Sequence, residues 1–173
     1  MVPLITERLL LRALRESDLE CVFAILNDET TTAGVSWRQH TREDAGAWLA
    51  RRIESQGSLG VSMWGVEDRS SAEIVGLCGF FPHESQLELG YVIHARFWGR
   101  GFATESARAC VEHALRAGHR ICATIRPGNR SSLRVAEKAG LHFNSNIRDE
   151  RGELLVYVTP HPAKSPSAIP DRH

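Results

Sequence analysis

Residues 88–105 constrain the fold of this chain more than any other segment, because they predict a strand, a tight turn and a helix in succession. An apolar strand ends near Ile93, and an amphipathic helix with apolar residues on one face begins near Ala103. Gly99 and Gly101 lie in the turn between them. Glycine adopts positive φ and lets the backbone approach a ligand, while the first N–H groups of a helix have no intrahelical partner. The segment therefore predicts a helix N-terminus suited to binding a pyrophosphate.

The turn alone leaves two interpretations open. Arg100 adds a planar, permanently charged donor beside the two glycines, which favours an anion site. Glycine-rich turns between a strand and a helix also occur in many domains that bind no ligand there. The run fits a dinucleotide-binding fingerprint poorly, because Thr104 stands at the third glycine position. It also lacks the Gly-Lys-Ser/Thr sequence of nucleotide triphosphatases.

The length and charge of the chain favour one domain with a local anion site. A chain of 173 residues is long enough for one sizeable core and too short for two comfortable domains. Its 21 basic and 21 acidic residues balance, which gives no support to binding along a nucleic-acid backbone. Prolines and small polar residues dominate the C-terminal end. We therefore expect a single domain over residues 1–158 and a flexible, Pro-rich tail over residues 159–173.

Cysteine and histidine usage predicts a reduced protein without a metal site. The 4 cysteines show no C-x-x-C spacing and lie in apolar segments, where a reduced thiol behaves as a small hydrophobic group. The 8 histidines show neither H-x-x-x-H nor H-E-x-x-H spacing. The N-terminus has no basic region followed by a long apolar run, and no segment reaches the length of a membrane span. We expect a soluble, cytoplasmic protein with no metal and no membrane partner.

Hydrophobic periodicity predicts about seven strands and about four helices. The predicted strands are residues 4–13, 59–66, 74–81, 86–93, 121–125, 141–147 and 153–158. The predicted helices are residues 17–26, 41–55, 103–116 and 131–139. Residues 27–40 have no clear period, and the strands from 59 to 93 form an antiparallel meander.

Several residues carry the signals of helix ends. Ser17 and Glu20 have the spacing of a capping box, and Thr41 is a weaker N-cap for the second helix. Gly118 and Gly140 follow the third and fourth helices, where a glycine in the left-handed conformation closes many helices.

Four segments in this order resemble the GNAT superfamily of N-acetyltransferases. Within it, the nearest group is that of the ribosomal-protein-alanine N-acetyltransferases. Residues 6–12 resemble the opening strand of that group, residues 88–91 its fourth strand, residues 98–105 its coenzyme turn and residues 129–141 its second signature. The resemblance covers residues 6–158, nearly the whole chain.

Two positions depart from the wider pattern. Trp98 stands where the superfamily prefers Gln or Arg, but tryptophan is usual in this subgroup and sharpens the assignment. Leu141 takes the place of a common phenylalanine, and Phe143 follows two residues later. We expect a repacked core there and no loss of function.

The resemblance implies an α+β (mixed α/β) GNAT fold, with a mainly antiparallel central sheet whose fourth and fifth strands splay apart. It also implies direct transfer of an acetyl group from acetyl-CoA to a primary amine, a protein N-terminal α-amine being one acceptor class. Other possibilities remain open at this point: a CoA-binding regulatory module without catalysis, an acetyltransferase of a small-molecule amine, or an enzyme that binds another phosphate ligand at the turn. The chain is expected to act as a monomer or homodimer, without direct contact to nucleic acid.

Acetyl transfer to an amine requires a base for the ammonium proton and a proton source for the departing thiolate. The resemblance assigns the base to Glu88, acting directly or through water, with Glu84 as a poorer rival. It places Asn129 against the coenzyme arm or the substrate, and Ser132 near the sulfur as the acid or thiolate stabiliser. Each residue also has an ordinary structural interpretation: a solvated strand carboxylate for the glutamate, and an N-cap or first-turn position for Asn129 and Ser132.

The same resemblance assigns the coenzyme contacts. Main-chain N–H groups near Tyr91, Val92 and Ile93 are expected to polarise the thioester carbonyl, while pantetheine lies along the strand as a pseudo-strand. The coenzyme turn is expected to hold the pyrophosphate through Trp98, Gly99, Arg100, Gly101, Phe102, Ala103 and Thr104, with Asn129 on the coenzyme arm. Neither Tyr91 nor Tyr157 is expected to act as an acid.

Tryptophan at helical spacing is more often core than pocket. Trp37 and Trp48 fall in the variable region where substrate loops usually lie, and the spacing favours a core position for both.

Overall fold

Eight strands form one sheet in the computed structural model of this protein, which describes residues 2–59 and 62–160. The strands are β1 (Leu4–Ile5), β2 (Leu9–Ala13), β3 (Met63–Asp68), β4 (Glu73–His83), β5 (Gln86–Ile93), β6 (Ile121–Ile125), β7 (His142–Asp149) and β8 (Gly152–Val158). Their order across the sheet is β1-β2-β3-β4-β5-β6-β8-β7. Neighbouring strands are antiparallel, apart from the parallel pair β5 and β6. The predicted mixed α/β fold with a mainly antiparallel sheet is confirmed.

Helices cover both faces of this sheet. They are α1 (Leu19–Asn27), α2 (Glu29–Thr32), α3 (Arg42–Leu59), α4 (Phe102–Arg116) and α5 (Arg130–Lys138), with 3₁₀ turns at Glu16–Asp18 and Ala95–Phe97. The four predicted helices are present, and α2 lies in the segment that shows no period. Asp28 caps α2 by accepting from the Thr31 N–H at 2.6 Å. A helix of four residues is too short to show a hydrophobic period, so only its cap identifies it.

The single strand predicted over residues 4–13 is two strands folded into a hairpin. The Thr6 N–H donates to the Leu9 carbonyl at 2.9 Å, and the Leu9 N–H donates to the Thr6 hydroxyl at 2.9 Å. These bonds close a tight turn, and β1 then pairs antiparallel with β2. A side-chain hydroxyl that bonds to nearby main chain competes with an extended conformation. The division of this segment accounts for eight strands where the periodicity predicts about seven.

The predicted capping box of Ser17 and Glu20 is wrong. The Asp18 carboxylate accepts instead from the Arg15 N–H at 2.8 Å and from both terminal nitrogens of Arg12 at 2.9 Å. Asp18 is buried, and its ion pair with Arg12 fixes a 3₁₀ turn before α1 begins at Leu19. An ion pair with a residue of β2 therefore overrides the spacing of the capping box.

Other helix ends follow the sequence signals more closely. The Asp44 N–H donates to the Thr41 hydroxyl at 3.0 Å, as expected for an N-cap. Gly118 and Gly140 adopt φ of 81° and 92° directly after their helices. Leu59, predicted in a strand, belongs to α3, and β3 begins only at Met63; residues 60 and 61 lie outside the described residues.

The two faces of the sheet carry separate hydrophobic cores. One core joins the sheet to α4 and α5 through Phe102, Ala107, Cys110, Val111, Ala114, Ala136 and Ala139. The other joins it to α1 and α3 through Val22, Ile25, Leu26, Trp48 and Leu49. β4 lies mid-sheet and is buried over most of its length, which agrees with its nearly continuous apolar run. Both helical layers thereby meet the same central strands that form the site described below.

The described fold extends slightly beyond the predicted domain boundary at residue 158. Thr159 is buried, and its N–H donates to the Ile121 carbonyl at 3.0 Å. The rest of the predicted tail, from residue 161, lies outside the described residues. Within residues 2–59 and 62–160, no helix is long and apolar enough to cross a membrane. Over the same ranges, no group of three His, Cys, Asp or Glu side chains is placed to hold a metal ion.

Candidate active site

β5 and β6 pair only at their beginnings. Leu87 and Glu88 lie opposite Ile121 and Cys122 in parallel register. From there β6 continues in register with β8, while β5 continues in register with β4. The fourth and fifth strands of the predicted sheet therefore separate after Glu88, as the resemblance implies. A gap between two strands exposes main-chain groups that a sheet would otherwise pair.

The orientation of β5 decides which main-chain groups face this gap. Successive residues of a strand direct their N–H and C=O groups to opposite sides. Because the Leu87 N–H points toward the start of β6, those of Tyr91 and Ile93 point into the gap. The main chain of Val92 points toward β4 instead. The Ile93 carbonyl accepts from the Trp98 indole N–H at 2.7 Å. Of the three expected N–H donors, Tyr91 and Ile93 therefore have the suitable direction.

The turn before α4 has the conformation expected from its glycines. Gly99 and Gly101 have φ of 78° and 79°, in the left-handed region that disfavours other residues. Gly101 is the N-cap and has no side chain that could accept from the helix. The first main-chain bond of α4 runs from the Glu105 N–H to the Gly101 carbonyl at 3.1 Å. The N–H groups of residues 102–104 therefore have no acceptor within the helix and are available to an anion.

Glu105 ties this turn to the β1–β2 hairpin. Its carboxylate accepts from the Thr6 hydroxyl at 2.6 Å and from the Arg8 main-chain N–H at 3.0 Å. The Arg8 guanidinium pairs with the same carboxylate at 2.6 Å and donates to the Arg100 carbonyl at 2.8 Å. Burial alone raises the pKa of Glu105, but the hydrogen bonds from Thr6 and Arg8 outweigh it and hold the pKa below its ordinary value. Two of the motifs that carry the resemblance thus meet at one carboxylate.

The Arg100 side chain packs on aromatic rings. Its guanidinium lies 5.4 Å from the centre of the Phe97 ring and 6.0 Å from that of Phe102. The face of an aromatic ring attracts a cation, so both contacts help to hold the guanidinium in place. A direct bond from Arg100 to phosphate remains a prediction.

The predicted coenzyme residues other than Arg100 line one groove of about 1020 Å³. They are Tyr91, Val92, Ile93, Trp98, Gly99, Gly101, Phe102, Ala103, Thr104 and Asn129. Sequence reasoning missed Arg126 and Arg151, which line the same groove. The Arg126 guanidinium holds Asp149 through bonds of 2.6 Å and 2.8 Å, and the pKa of that carboxyl is lowered accordingly. The position of Arg126 directly after β6 is the one signal that the sequence offers for it.

A second cavity of about 270 Å³ adjoins the groove and contains Glu88. The Thr124 hydroxyl donates to Oε1 of Glu88, and His83 Nδ1 lies 4.0 Å from Oε2. The side chain of Glu88 is 26% exposed, so it is neither buried nor fully solvated. The two cavities share Gly34, Val35, Tyr91, Asn129 and Ser132 in their walls. The candidate base therefore lies in a chamber that opens onto the coenzyme groove. We call this chamber the acceptor cavity.

Asn129 caps α5 and also lines both cavities. Its Oδ1 accepts from the Ser132 N–H at 3.2 Å and from the Ser131 hydroxyl at 2.9 Å. Its amide nitrogen faces Gly34, where an added Cβ would lie only 2.2 Å away. The ordinary structural role of Asn129 as an N-cap is thus present, and the same side chain stands at the junction of the cavities.

Tyr91 forms a wall at this junction. Its hydroxyl donates to the Ser132 carbonyl at 2.8 Å. Burial raises the pKa of Tyr91 well above its ordinary value, although the bond to Ser132 opposes this effect. The phenol is therefore neutral, and its proton is engaged. Tyr157 lies on β8, is buried in the core that joins the sheet to α4 and α5, and donates to Glu137 at 3.3 Å. That neither tyrosine acts as an acid stays a prediction.

Cys122 lies directly opposite Glu88, the candidate base, where β5 pairs with β6. Burial, followed by the charge of Glu88, raises the pKa of Cys122 to about 12. A thiol with such a pKa remains protonated near neutral pH and is a poor nucleophile.

Several residues of the acceptor cavity were not assigned there by sequence reasoning, among them Trp37, Thr124 and Gly34. Trp37 packs against the core beside α1 and α3, as favoured, and also lines the cavity, whereas Trp48 is buried as expected. Thr124 and Gly34 carry no sequence signal, because each acquires its role through contact with Glu88 or Asn129. Glu84 lies in the β4–β5 turn with φ of 50°, and its side chain is exposed.

Comparisons with known proteins identify the family of this chain. The family model of the acetyltransferase (GNAT) domain matches residues 8–142. Among curated proteins, the uncharacterized YkkB of Bacillus subtilis strain 168 is 35% identical over 164 residues, which cover 89% of this chain and 93% of YkkB.

Solved structures share the fold. RimL, described as a ribosomal L7/L12 alpha-N-protein acetyltransferase in complex with coenzyme A, matches with a TM-score of 0.81 and 19% identity over 91% of this chain and 97% of RimL. The microcin C7 self-immunity acetyltransferase MccE, in complex with acetyl-CoA and AMP, matches with a TM-score of 0.77 and 14% identity over 89% of this chain and 93% of MccE. At these identities the structures establish the fold, and the family model establishes membership. This chain therefore belongs to the GNAT family of N-acetyltransferases and is an acyltransferase.

Proposed function

We propose that this protein is an acetyl-CoA-dependent N-acetyltransferase that transfers the acetyl group directly to a primary amine. The observation that carries the proposal is the opening of the acceptor cavity, with Glu88 inside it, onto the coenzyme groove. Both cavities are lined by Tyr91, Asn129 and Ser132. The acetyl donor and the amine acceptor would therefore meet beside these residues. Direct transfer requires both substrates to be bound together in this way.

The groove has the features that coenzyme A requires. Its pyrophosphate would bind the free N–H groups of residues 102–104, which the left-handed glycines leave open. Its pantetheine arm would pair with the main chain of Tyr91 and the N–H of Ile93, because the splayed strand leaves these groups without a strand partner on the β6 side. Arg151 adds positive charge along the same groove, where the Arg126 guanidinium is paired with Asp149. These main-chain N–H groups and the Arg151 side chain therefore fit an extended ligand with a central pyrophosphate.

The residues at the junction divide the chemistry between them. Acetyl-CoA supplies a thioester whose carbonyl carbon accepts the amine as the C–N bond forms and the C–S bond breaks. Glu88 takes the proton of the substrate ammonium, and Thr124 holds the carboxylate in place by its hydrogen bond. The Ser132 hydroxyl, at the wall shared by both cavities, gives a proton to the leaving sulfur and regains one from the nitrogen, which loses its second proton as the amide forms. The N–H of Tyr91 points into the gap, where it would stabilise charge on the thioester oxygen.

The state of Cys122 favours direct transfer over an acyl-enzyme route. Its raised pKa keeps the thiol neutral beside Glu88.

The fold shared with RimL makes a protein N-terminal α-amine the first acceptor class to test.

The proposal is tested by measuring thiol release and acetylated product over a panel of amines and N-terminal peptides. Glu88→Gln is expected to lower kcat/KM on the order of 10²–10⁴-fold while leaving CoA affinity intact. Glu84→Gln, which changes an exposed glutamate in the turn that leads into the same strand, is the matched control and should leave both unchanged. Equal activity of Glu88→Gln and the unaltered protein would refute the assigned base. Tight CoA binding without turnover of any amine would instead identify a regulatory CoA-binding module.

A further inference from the structure

Resting on the proposed function, we infer that the acceptor presents its amine on an uncharged, flat or apolar body of about one ring in size. Trp37 and Phe81, which line the acceptor cavity, then determine specificity by contact with that body.

The two rings form a rigid wall. Trp37 stacks on Trp48 with ring centres 5.9 Å apart and planes 9° apart, and it meets Phe81 edge to face at 5.5 Å. The Arg52 guanidinium lies over the rings of Trp48 and Phe81 at 5.8 Å and 5.3 Å. Neither Trp48 nor Arg52 is among the described residues that line the cavity. The wall is therefore braced by groups behind it, and stacked or edge-on rings with such support hold their orientation.

Gly90 allows this wall to approach the strand that carries Glu88. A Cβ on Gly90 would lie 2.7 Å from Phe81 Cε2 and 3.7 Å from Trp37 Cζ2. The first distance is too short for any side chain, so only glycine lets the Phe81 ring lie against β5 at this point. Residues 88 and 90 share one face of the strand, because side chains alternate. The aromatic wall and the carboxylate therefore face the same chamber at neighbouring positions.

The charge and size of the chamber limit what it can accept. Glu88, held by Thr124, attracts an ammonium group and repels a carboxylate close to it. A free α-amino acid would bring such a carboxylate next to its amine, whereas an amide, an ester or a peptide bond would not. The volume of about 270 Å³ lies near the lower end of small-molecule sites, which suits one ring or one side chain. A simple arylalkylamine and an aromatic or apolar N-terminal residue share this chemistry.

Matched acceptors test the inference in the full chain with saturating CoA. Phenethylamine is compared with putrescine, and L-phenylalaninamide with L-phenylalanine, by calorimetric binding to the CoA-loaded protein and by kcat/KM with acetyl-CoA. In each pair the first compound should bind about tenfold or more tightly than the second, and its kcat/KM should be higher by the same factor. A peptide that begins with Phe distinguishes a small arylalkylamine from a protein N-terminus as the acceptor. Its kcat/KM should be higher than that of phenethylamine only if the acceptor is a chain terminus. Equal or better use of putrescine or phenylalanine would overturn the inference.

Variants of the wall test its residues. Trp37→Leu and Phe81→Leu should each raise KM for phenethylamine about tenfold and change that for putrescine about twofold or less. Phe143→Leu, which alters an exposed ring on β7, is the control and should change neither. Ser36→Arg adds a cation at an exposed position of the cavity wall and should selectively improve the use of phenylalanine. Unchanged selectivity in correctly folded Trp37 and Phe81 variants would also overturn the inference.

The two levels of failure are distinct. If the CoA-loaded protein neither binds nor acetylates any amine, the proposed function falls and this inference falls with it. If amines are acetylated in the reverse order of preference, only the inference falls.

Discussion

Arg8 and Glu105 form an ion pair of 2.6 Å that joins the β1–β2 hairpin to the first turn of α4. The same carboxylate accepts from the Thr6 hydroxyl and from the Arg8 main chain. The beginning of the chain thereby holds the turn that is proposed to bind the pyrophosphate. Residues 6–12 and 98–105, two of the segments that carry the resemblance, are joined here although they are far apart in sequence.

Glu105→Gln should lower the free energy of unfolding at pH 7 by about 1 kcal/mol, because it removes charge from a hydrogen-bonded and partly buried carboxylate. The pKa of Glu105 is lowered in the folded state, so its stabilisation is complete above the unfolded-state pKa, near 4.5, and is lost as the pH falls through the folded-state pKa. Urea denaturation from pH 7 into the acid range should show a smaller loss of stability for the variant than for the unaltered protein. Parallel pH curves for the two proteins would contradict this account.

Gly101→Ala should weaken CoA binding and destabilise the protein by about 1–2 kcal/mol, because a Cβ disfavours the left-handed backbone at φ of 79°. An added Cβ meets only Arg8 Nη2 at 3.5 Å, so the effect comes from the backbone and not from a clash. Gly118→Ala is the matched control, since Gly118 has φ of 81° at the opposite end of the same helix. Calorimetry should show weaker CoA binding for the first variant alone, and thermal unfolding should show similar destabilisation for both.

Thr124→Val should lower kcat/KM about tenfold, because it removes the hydroxyl that holds Oε1 of Glu88 while keeping the shape of the side chain. Thr124→Ser retains the donor and should recover most of the activity. Steady-state kinetics with one amine and saturating acetyl-CoA distinguish the two variants. Unchanged activity of Thr124→Val would contradict the role of the hydroxyl, and equal loss in both variants would mean that the hydroxyl alone does not explain the effect.

Gly34→Ala should raise the KM for both substrates, because a Cβ at this position would lie 2.2 Å from the amide nitrogen of Asn129 at the junction of the cavities. Gly46→Ala is the control, since its Cβ would meet only Leu19 Cδ1 at 3.9 Å. The control lies inside α3 and should gain about 0.5–1 kcal/mol of stability with unchanged kinetics. Unchanged KM values for Gly34→Ala would mean that Asn129 can move without consequence.

Periodicity located the central strands accurately. The predicted bounds of β5 and β6 agree with those observed, Gln86–Ile93 and Ile121–Ile125, because both are short apolar runs with clear breaks at their ends. The sequence signals failed where a side-chain contact fixes a turn that hydrophobic periodicity does not mark. Asp18 caps the turn before α1 and pairs with Arg12, which lies six residues earlier on β2, and a single Asp28 cap marks α2.

The sequence by itself determined the strand–turn–helix of residues 88–105, the left-handed glycines within it and the residue types of the candidate site, since backbone preferences and hydrophobic periods act over a few neighbours. Only the tertiary structure decided that Thr124 holds Glu88, that Tyr91 and Ile93 face the gap between the splayed strands, and that Trp37 and Phe81 enclose the acceptor cavity. These relationships join residues from separate elements. Their geometry follows from how the sheet and the helices pack, which no local pattern encodes.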